Sequence, residues 1–194
     1  VAKVERFAKR IVEVIQPDDV VLAEATGRSQ GQYHIHLSEV DDKKGERFVR
    51  LTDVPESLIA VKLDSFDLNR AFVQTGGGKP YGRRCDYLLV DPINHLLTFI
   101  ELKLGTTGGH ATDVVLQLKG GRAIADYMAS LMWHFDGVDI DLAGVETRFL
   151  WITFQQSYSD QFKRGSQFKA DDVDDPRKLS QGRNGSINYR AVIL

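Results

Sequence analysis

The chain reads as an α/β protein: a central mixed β-sheet flanked by helices, with an antiparallel β-rich elaboration ahead of its core. Three observations predict this. Residues 84–103 hold two apolar, β-branched or aromatic runs separated by a turn, as in a buried hairpin. A helical period follows over residues 112–133, and then another apolar strand over 147–154. Upstream, residues 20–74 break into short strand-like runs punctuated by glycine, proline and charge.

The N-terminal element is a helix over residues 4–15, where Val4, Phe7, Ala8, Ile11, Val14 and Ile15 share one face and Pro17 ends it. Glu5 borders that face and Glu13 lies nearly opposite. The elaboration is predicted as strands at 20–25, 33–40, 47–51, 58–63 and 70–74. His34 and His36 alternate with apolar neighbours and fall on one side of a strand. With no third ligand in view, a solvated strand face is the expectation there rather than a metal.

The chemistry is concentrated in the hairpin. Its first strand runs Arg84-Cys85-Asp86-Tyr87-Leu88-Leu89-Val90, the turn is Asp91-Pro92-Ile93-Asn94-His95, and the second strand is Leu96 to Lys103. If Val90 faces Leu97, then Asp86 faces Glu101, and Lys103 projects to the same side two residues on. Two facing carboxylates repel unless a cation lies between them. Mg²⁺ suits such a pair: it takes oxygen ligands, one or two of them carboxylates, and keeps several waters. Asp86, Glu101 and the backbone carbonyl of Leu102 are therefore the expected metal ligands, and Mn²⁺ is expected to substitute. Lys103 is placed to orient or deprotonate a water, or to offset charge on a phosphorane. Asp91 is a rival first acid. Roughly five residues at 3.3 Å each separate it from the Asp86 end, so it is read as turn punctuation. A solvated ion cluster is the bland alternative for the trio.

These residues resemble the signature of the PD-(D/E)XK nuclease superfamily: an acid on one strand, a turn, then acid-x-Lys at the end of the next strand. Asp86, Glu101 and Lys103 match it, and the resemblance spans residues 76–154, in the order strand, strand, helix, strand. The proline of the signature is absent; Arg84-Cys85 precedes Asp86 instead. The resemblance implies a restriction endonuclease-like fold and divalent-metal-dependent cleavage of nucleic acid, DNA favoured over RNA, leaving a 5′-phosphate and a 3′-hydroxyl. It also implies a helper role for Gln117 and, more weakly, Lys119 on the following helix, and for an auxiliary acid on the first helix, for which Glu5 is the candidate. An ordinary surface role stands beside each.

The basic, glycine-rich stretch 76–84 is not a Walker A loop, since Pro80 stands where Ser or Thr is needed. It leads straight into Asp86. Lys79, Arg83 and Arg84 are thus expected at the mouth of the site as nucleic-acid contacts, with a flexible solubilising loop as the equal alternative. After Lys103, a connection rich in glycine leads to the long helix. Gly120-Gly121 in mid-helix costs roughly 1 kcal/mol per glycine, which close packing against the sheet or a substrate would explain. Residues 155–185 are polar and mixed in charge and read as a solvated loop, and 186–194 as a closing strand.

Composition bounds the rest. The 194 residues, 42% hydrophobic and 27% charged, fit a single globular domain. A net charge of −2 argues against a broad basic coat for nucleic acid but not against a local patch aided by a metal. The lone Cys85 excludes a disulfide framework or a cysteine zinc cluster and suits a reducing compartment. No apolar run nears the roughly twenty residues of a membrane helix, and no signal peptide is visible. A cytoplasmic protein with no membrane partner is expected. The chain begins at Val1, which is compatible with a longer parent protein. A homodimer would help cut two strands, though no interface stripe identifies one. A second reading belongs to another class: a catalytically silent nuclease-like module that binds nucleic acid or protein within a larger assembly.

Overall fold

A computed structural model describes residues 3–26, 31–41, 45–66, 82–103, 111–154, 171–181 and 185–194. The fold is mixed α/β. Helix α1 (Lys3–Val14) buries Val4, Phe7, Ala8 and Ile11 of the predicted stripe but leaves Val14 47% exposed, and a 3₁₀ turn at Pro17–Asp19 follows. The strands of the first half are β1 (Val20–Leu22), β2 (Glu24–Ala25), β3 (Tyr33–Asp41), β4 (Gly45–Val54) and β5 (Ile59–Lys62). Then come β6 (Tyr87–Asp91), β7 (Leu96–Lys103), the long helix α2 (Ala111–Asp136) and β8 (Glu146–Thr153). The chain closes through β9 (Arg177–Ser180), β10 (Ser186–Asn188) and a short α3 (Arg190–Ile193).

Two sheets organise these strands. The six-stranded sheet has the order β1-β5-β6-β7-β8-β9, and the four-stranded sheet β10-β4-β3-β2. Neighbours from β1 to β7 in the larger sheet run antiparallel, whereas β7-β8 and β8-β9 are parallel. Helix α2 makes the crossover that a parallel β7-β8 pair requires.

Strand alternation divides the apolar side chains into two layers. Leu88, Val90, Leu97 and Phe99 pack under α1 and α2, while Tyr87, Leu89, Ile100 and Leu102 pack against Ile35, Leu37, Val49 and Leu51 of the four-stranded sheet. The larger sheet is buried on both faces, which is why β6 and β7 read as continuous apolar runs.

Four expectations change. The run 20–25 is two strands rather than one. The chain leaves β1 at Ala23, so β1 pairs with β5 in the large sheet and β2 with β3 in the small one. The segments 20–22 and 59–62, assigned to the elaboration, thus belong to the central sheet. Within the supposed loop 155–185, residues 177–180 form β9, held by the burial of Leu179 and a parallel pairing to β8. The closing segment is a strand only to Asn188. There Tyr189 turns into α3, its carbonyl accepting the Val192 amide at 2.8 Å and its hydroxyl donating to the buried Asp91 at 2.7 Å. The strand expected at 70–74 lies outside the described residues.

Candidate active site

The register of the central hairpin positions the site. Val90 pairs with Leu97 and Tyr87 with Ile100, so Asp86, one residue beyond the last pair, stands opposite Glu101. Both side chains share the parity of the residues under the helices, as does Lys103. Asp86 no longer continues the ladder with its backbone. Its carboxylate does so instead: Oδ2 accepts the Leu102 amide at 2.6 Å, and its carbonyl accepts the Leu63 amide at 2.8 Å. Leu102 thus turns its amide toward the Asp86 edge. In an extended strand the carbonyl of a residue projects to the same edge as its amide, which directs the Leu102 oxygen there too.

Glu101 is 1% exposed, deep for a carboxylate, and its Oε1 pairs with Nζ of Lys103. Its Oε2 is buried and has no hydrogen-bond partner among the described residues. Burial pushes the Glu101 carboxyl up to about 8, helped by the facing Asp86 and opposed by Lys103. Asp86 is raised to about 7, again first by burial, with the Leu102 amide pulling it back. Both groups thus prefer a proton, or another cation, to an uncompensated buried charge.

Beside Lys103 opens a cleft of about 380 Å³ lined by Gly82, Arg83, Arg84, Lys103, Asp113 and Gln117. Two glycines of α2 bring its wall into place. A Cβ on Gly120 would stand 1.7 Å from the Arg83 carbonyl oxygen, and one on Gly121 would stand 2.3 Å from Cys85 Sγ. Only glycine lets the helix lie this close to the segment entering Asp86. Of the two explanations offered for the pair, packing against the protein is the one observed. Cys85 itself is sealed, and burial pushes its thiol up, away from nucleophilic chemistry.

Arg83 and Arg84 stand at the mouth of the cleft, each already engaged: Arg83 pairs with Asp113, and the Arg84 guanidinium donates to the Asp64 carbonyl at 2.7 and 2.9 Å. Gln117 is half-buried in the cleft wall. Lys119 points outward, with Nζ 2.6 Å from an Asp174 carboxylate oxygen, and Glu5 is exposed on α1; neither lines the cleft. Lys79 lies outside the described residues. Asp91 is the turn residue it was read to be, accepting the Ile93 and Asn94 amides at 2.9 and 3.0 Å. His34 and His36 are half-buried on β3, with His36 Nε2 accepting from Arg50 at 3.2 Å.

Glu39 is a further acid, not marked by the acid-x-Lys pattern. It occupies the same face of β3 as Ile35 and Leu37, both buried against the large sheet, and its charge helps raise Asp86 and Glu101. An acid in phase with Ile35 and Leu37 was the available signal.

The oxygens gathered here, two carboxylates and a carbonyl, are hard ligands suited to Mg²⁺ or Mn²⁺. The partnerless buried Oε2 of Glu101 is the specific sign of fit. Among the described residues no three His, Cys, Asp or Glu side chains already converge on one point, so water and phosphate oxygens would fill most of the shell. No family model matches the chain, and no curated protein and no solved structure matches it.

Proposed function

We propose that this chain is a divalent-metal-dependent nuclease of PD-(D/E)XK type, hydrolysing phosphodiester bonds, with DNA favoured over RNA. The observation that carries the proposal is the in-register pair Asp86 and Glu101 with Lys103 beside them, at the edge of a basic cleft. The antiparallel β6-β7 hairpin, the helix α2 and the parallel strand β8 support it, since the resemblance implies that order.

Asp86, Glu101 and the Leu102 carbonyl would hold the ion. When bound, it supplies Lewis-acid stabilisation of the phosphate oxygens and a more acidic water. The chain does the rest. Lys103, paired with Glu101, would orient the attacking water and offset charge on a phosphorane oxygen. Gln117 donates its side-chain amide to a phosphate oxygen. Arg83 and Arg84 hold the backbone of the nucleic acid in the cleft. The apolar layer beneath Glu101 keeps bulk water from the ligands, which strengthens every charge interaction in the site.

The test is cleavage of plasmid and single-stranded oligonucleotides with Mg²⁺ or Mn²⁺. Asp86→Asn and Lys103→Ala are each expected to lower the rate at least about 100-fold while leaving nucleic-acid binding in place. An intact chain that binds nucleic acid but cuts nothing with any divalent ion would point to the silent-module reading instead.

A further inference from the structure

We infer that Lys178, on the edge strand β9, is a nucleic-acid-binding residue, holding a backbone phosphate on the flank of the site opposite Arg83 and Arg84. The inference rests on the proposed nuclease reading and extends it to a strand outside the acid-x-Lys signature. Its ground is the register of the parallel strands. Glu101 pairs with Trp151 and Trp151 with Lys178, so the three side chains form one row on the helix-bearing face of the large sheet. Two strand spacings place the Cα of Lys178 about 10 Å from that of Glu101. Two residues further on, Lys103, Thr153 and Ser180 form a second row at the carboxyl ends of the same strands. The Thr153 and Ser180 hydroxyls lie 3.2 Å apart there. Ligands of open α/β sheets bind outside such strand ends.

The surroundings of Lys178 set it apart from the other cations near the site. Lys103 is paired with Glu101, Arg83 with Asp113 and Lys119 with Asp174, while Arg84 donates to the Asp64 carbonyl. Lys178 is exposed and has no carboxylate partner among the described residues. Its Nζ lies instead over the Trp151 ring, 4.9 Å from the centroid. Trp151 is 8% exposed, so the ring is a fixed support. An aromatic face attracts an ammonium without neutralising it, which holds the charge in place and leaves it available to phosphate. Because Trp151 stands between Lys178 and Glu101, the contact also draws Nζ toward the site. Lys178 does not line the cleft. A strand of nucleic acid held by Arg83 and Arg84 passes Lys103, continues over Thr153 and Ser180, and meets Lys178 next.

The experiment is fluorescence anisotropy of the full chain on a short duplex and on its single strand, across a salt series with Ca²⁺ in place of Mg²⁺. Lys178→Ala is expected to weaken binding about 5-fold at about 0.15 M salt and to lower the logarithmic salt slope by about 1, the signature of one lost phosphate contact. Lys178→Arg keeps the charge and the ring contact and should restore both. Lys9→Ala removes an equal charge from the exposed side of α1 and should leave both unchanged. In cleavage with Mg²⁺, Lys178→Ala should raise KM about 5-fold and leave kcat as it is, since the ammonium holds a flanking phosphate. If Lys178→Ala binds with the native affinity and slope, or if Lys9→Ala moves them as far, the inference is overturned. The nuclease reading is judged separately: cleavage that Asp86→Asn abolishes sustains it even when Lys178→Ala is silent. A chain that binds but never cuts overturns that reading, and the salt slope of Lys178→Ala still decides whether Lys178 holds phosphate. A chain that binds no nucleic acid overturns both.

Discussion

The Asp86 carboxylate accepts the backbone amide of Leu102 at 2.6 Å, so the side chain continues a ladder that the backbone has left. One oxygen is thereby fixed while the carboxylate stays beside Glu101. This joins structure to chemistry, because the strand end cannot fray without moving a metal ligand. It also predicts that two substitutions of Asp86 differ. Asp86→Asn keeps an acceptor for Leu102 and removes charge from a buried site, so without metal it should be at least as stable as the native chain. Asp86→Ala strands the Leu102 amide at a cost of about 1–3 kcal/mol. Both should be inactive. Urea denaturation with a chelator present separates them, and equal destabilisation would show that the hydrogen bond does not support the strand end.

Protons should substitute for metal. Burial raises Asp86 to about 7 and Glu101 to about 8, above their ordinary values of 3.8 and 4.5. Between those limits the native state binds more protons than the unfolded chain. The stability these groups contribute is full below about pH 4 and is lost as pH rises through 7 and 8. The metal-free protein should therefore melt at lower temperature at pH 8.5 than at pH 5.5. Glu101→Gln should flatten that slope, by up to about 1.4 kcal/mol per pH unit for one proton. Mn²⁺ should restore stability most at high pH, where its ligands are already deprotonated. A melting temperature as steep in Glu101→Gln as in the native chain would refute the assignment.

Glycine 120 reverses an ordinary expectation. Replacing a mid-helix glycine by alanine usually stabilises by up to about 1 kcal/mol. Here the added methyl would meet the Arg83 carbonyl oxygen at 1.7 Å, and backbone cannot rotate away. Gly120→Ala should destabilise by about 1–3 kcal/mol and push Arg83 and Arg84 out of the cleft wall. Chemical denaturation together with nucleic-acid affinity checks this; a more stable variant with normal binding would contradict the close approach.

What was legible in the sequence follows from how local each constraint is. The hairpin register, and with it the facing of Asp86 and Glu101, is set by two apolar runs and a short turn, all within residues 86–101. Helix α2 announced itself by period, and its glycine pair by the cost it would otherwise carry. The assignment of strands to sheets was not local. Nothing in residues 20–25 marks the passage at Ala23 from one sheet to the other, which depends on β5 and β3 as partners. β9 is similarly hidden: Arg177-Lys178-Leu179-Ser180 carries one buried apolar residue, and only the exposed edge of β8 makes a strand of it. Tyr189 looked like a strand residue because its partner, Asp91, lies 98 positions away. Glu39 was hidden for the same reason: its inward phase is local, but the carboxylates whose charge it opposes, Asp86 and Glu101, are remote in sequence.

The ion pair between Arg83 and Asp113 gives a last prediction about substrate. Both side chains are well exposed, 36% and 48%, so the pair adds at most about 1 kcal/mol to stability. Its consequence is electrostatic: Asp113 holds and partly neutralises a guanidinium at the mouth of the cleft. Asp113→Asn frees Arg83 and removes a negative charge facing phosphate. It should tighten nucleic-acid binding and steepen its dependence on salt, while Arg83→Ala should weaken binding and lower the logarithmic salt slope by about 1. Fluorescence anisotropy on a short duplex across a salt series, with Ca²⁺ in place of Mg²⁺ to limit cleavage, measures both. If neither variant moves the affinity or the slope, nucleic acid does not track through this cleft, and the path to Lys103 must be sought on another side.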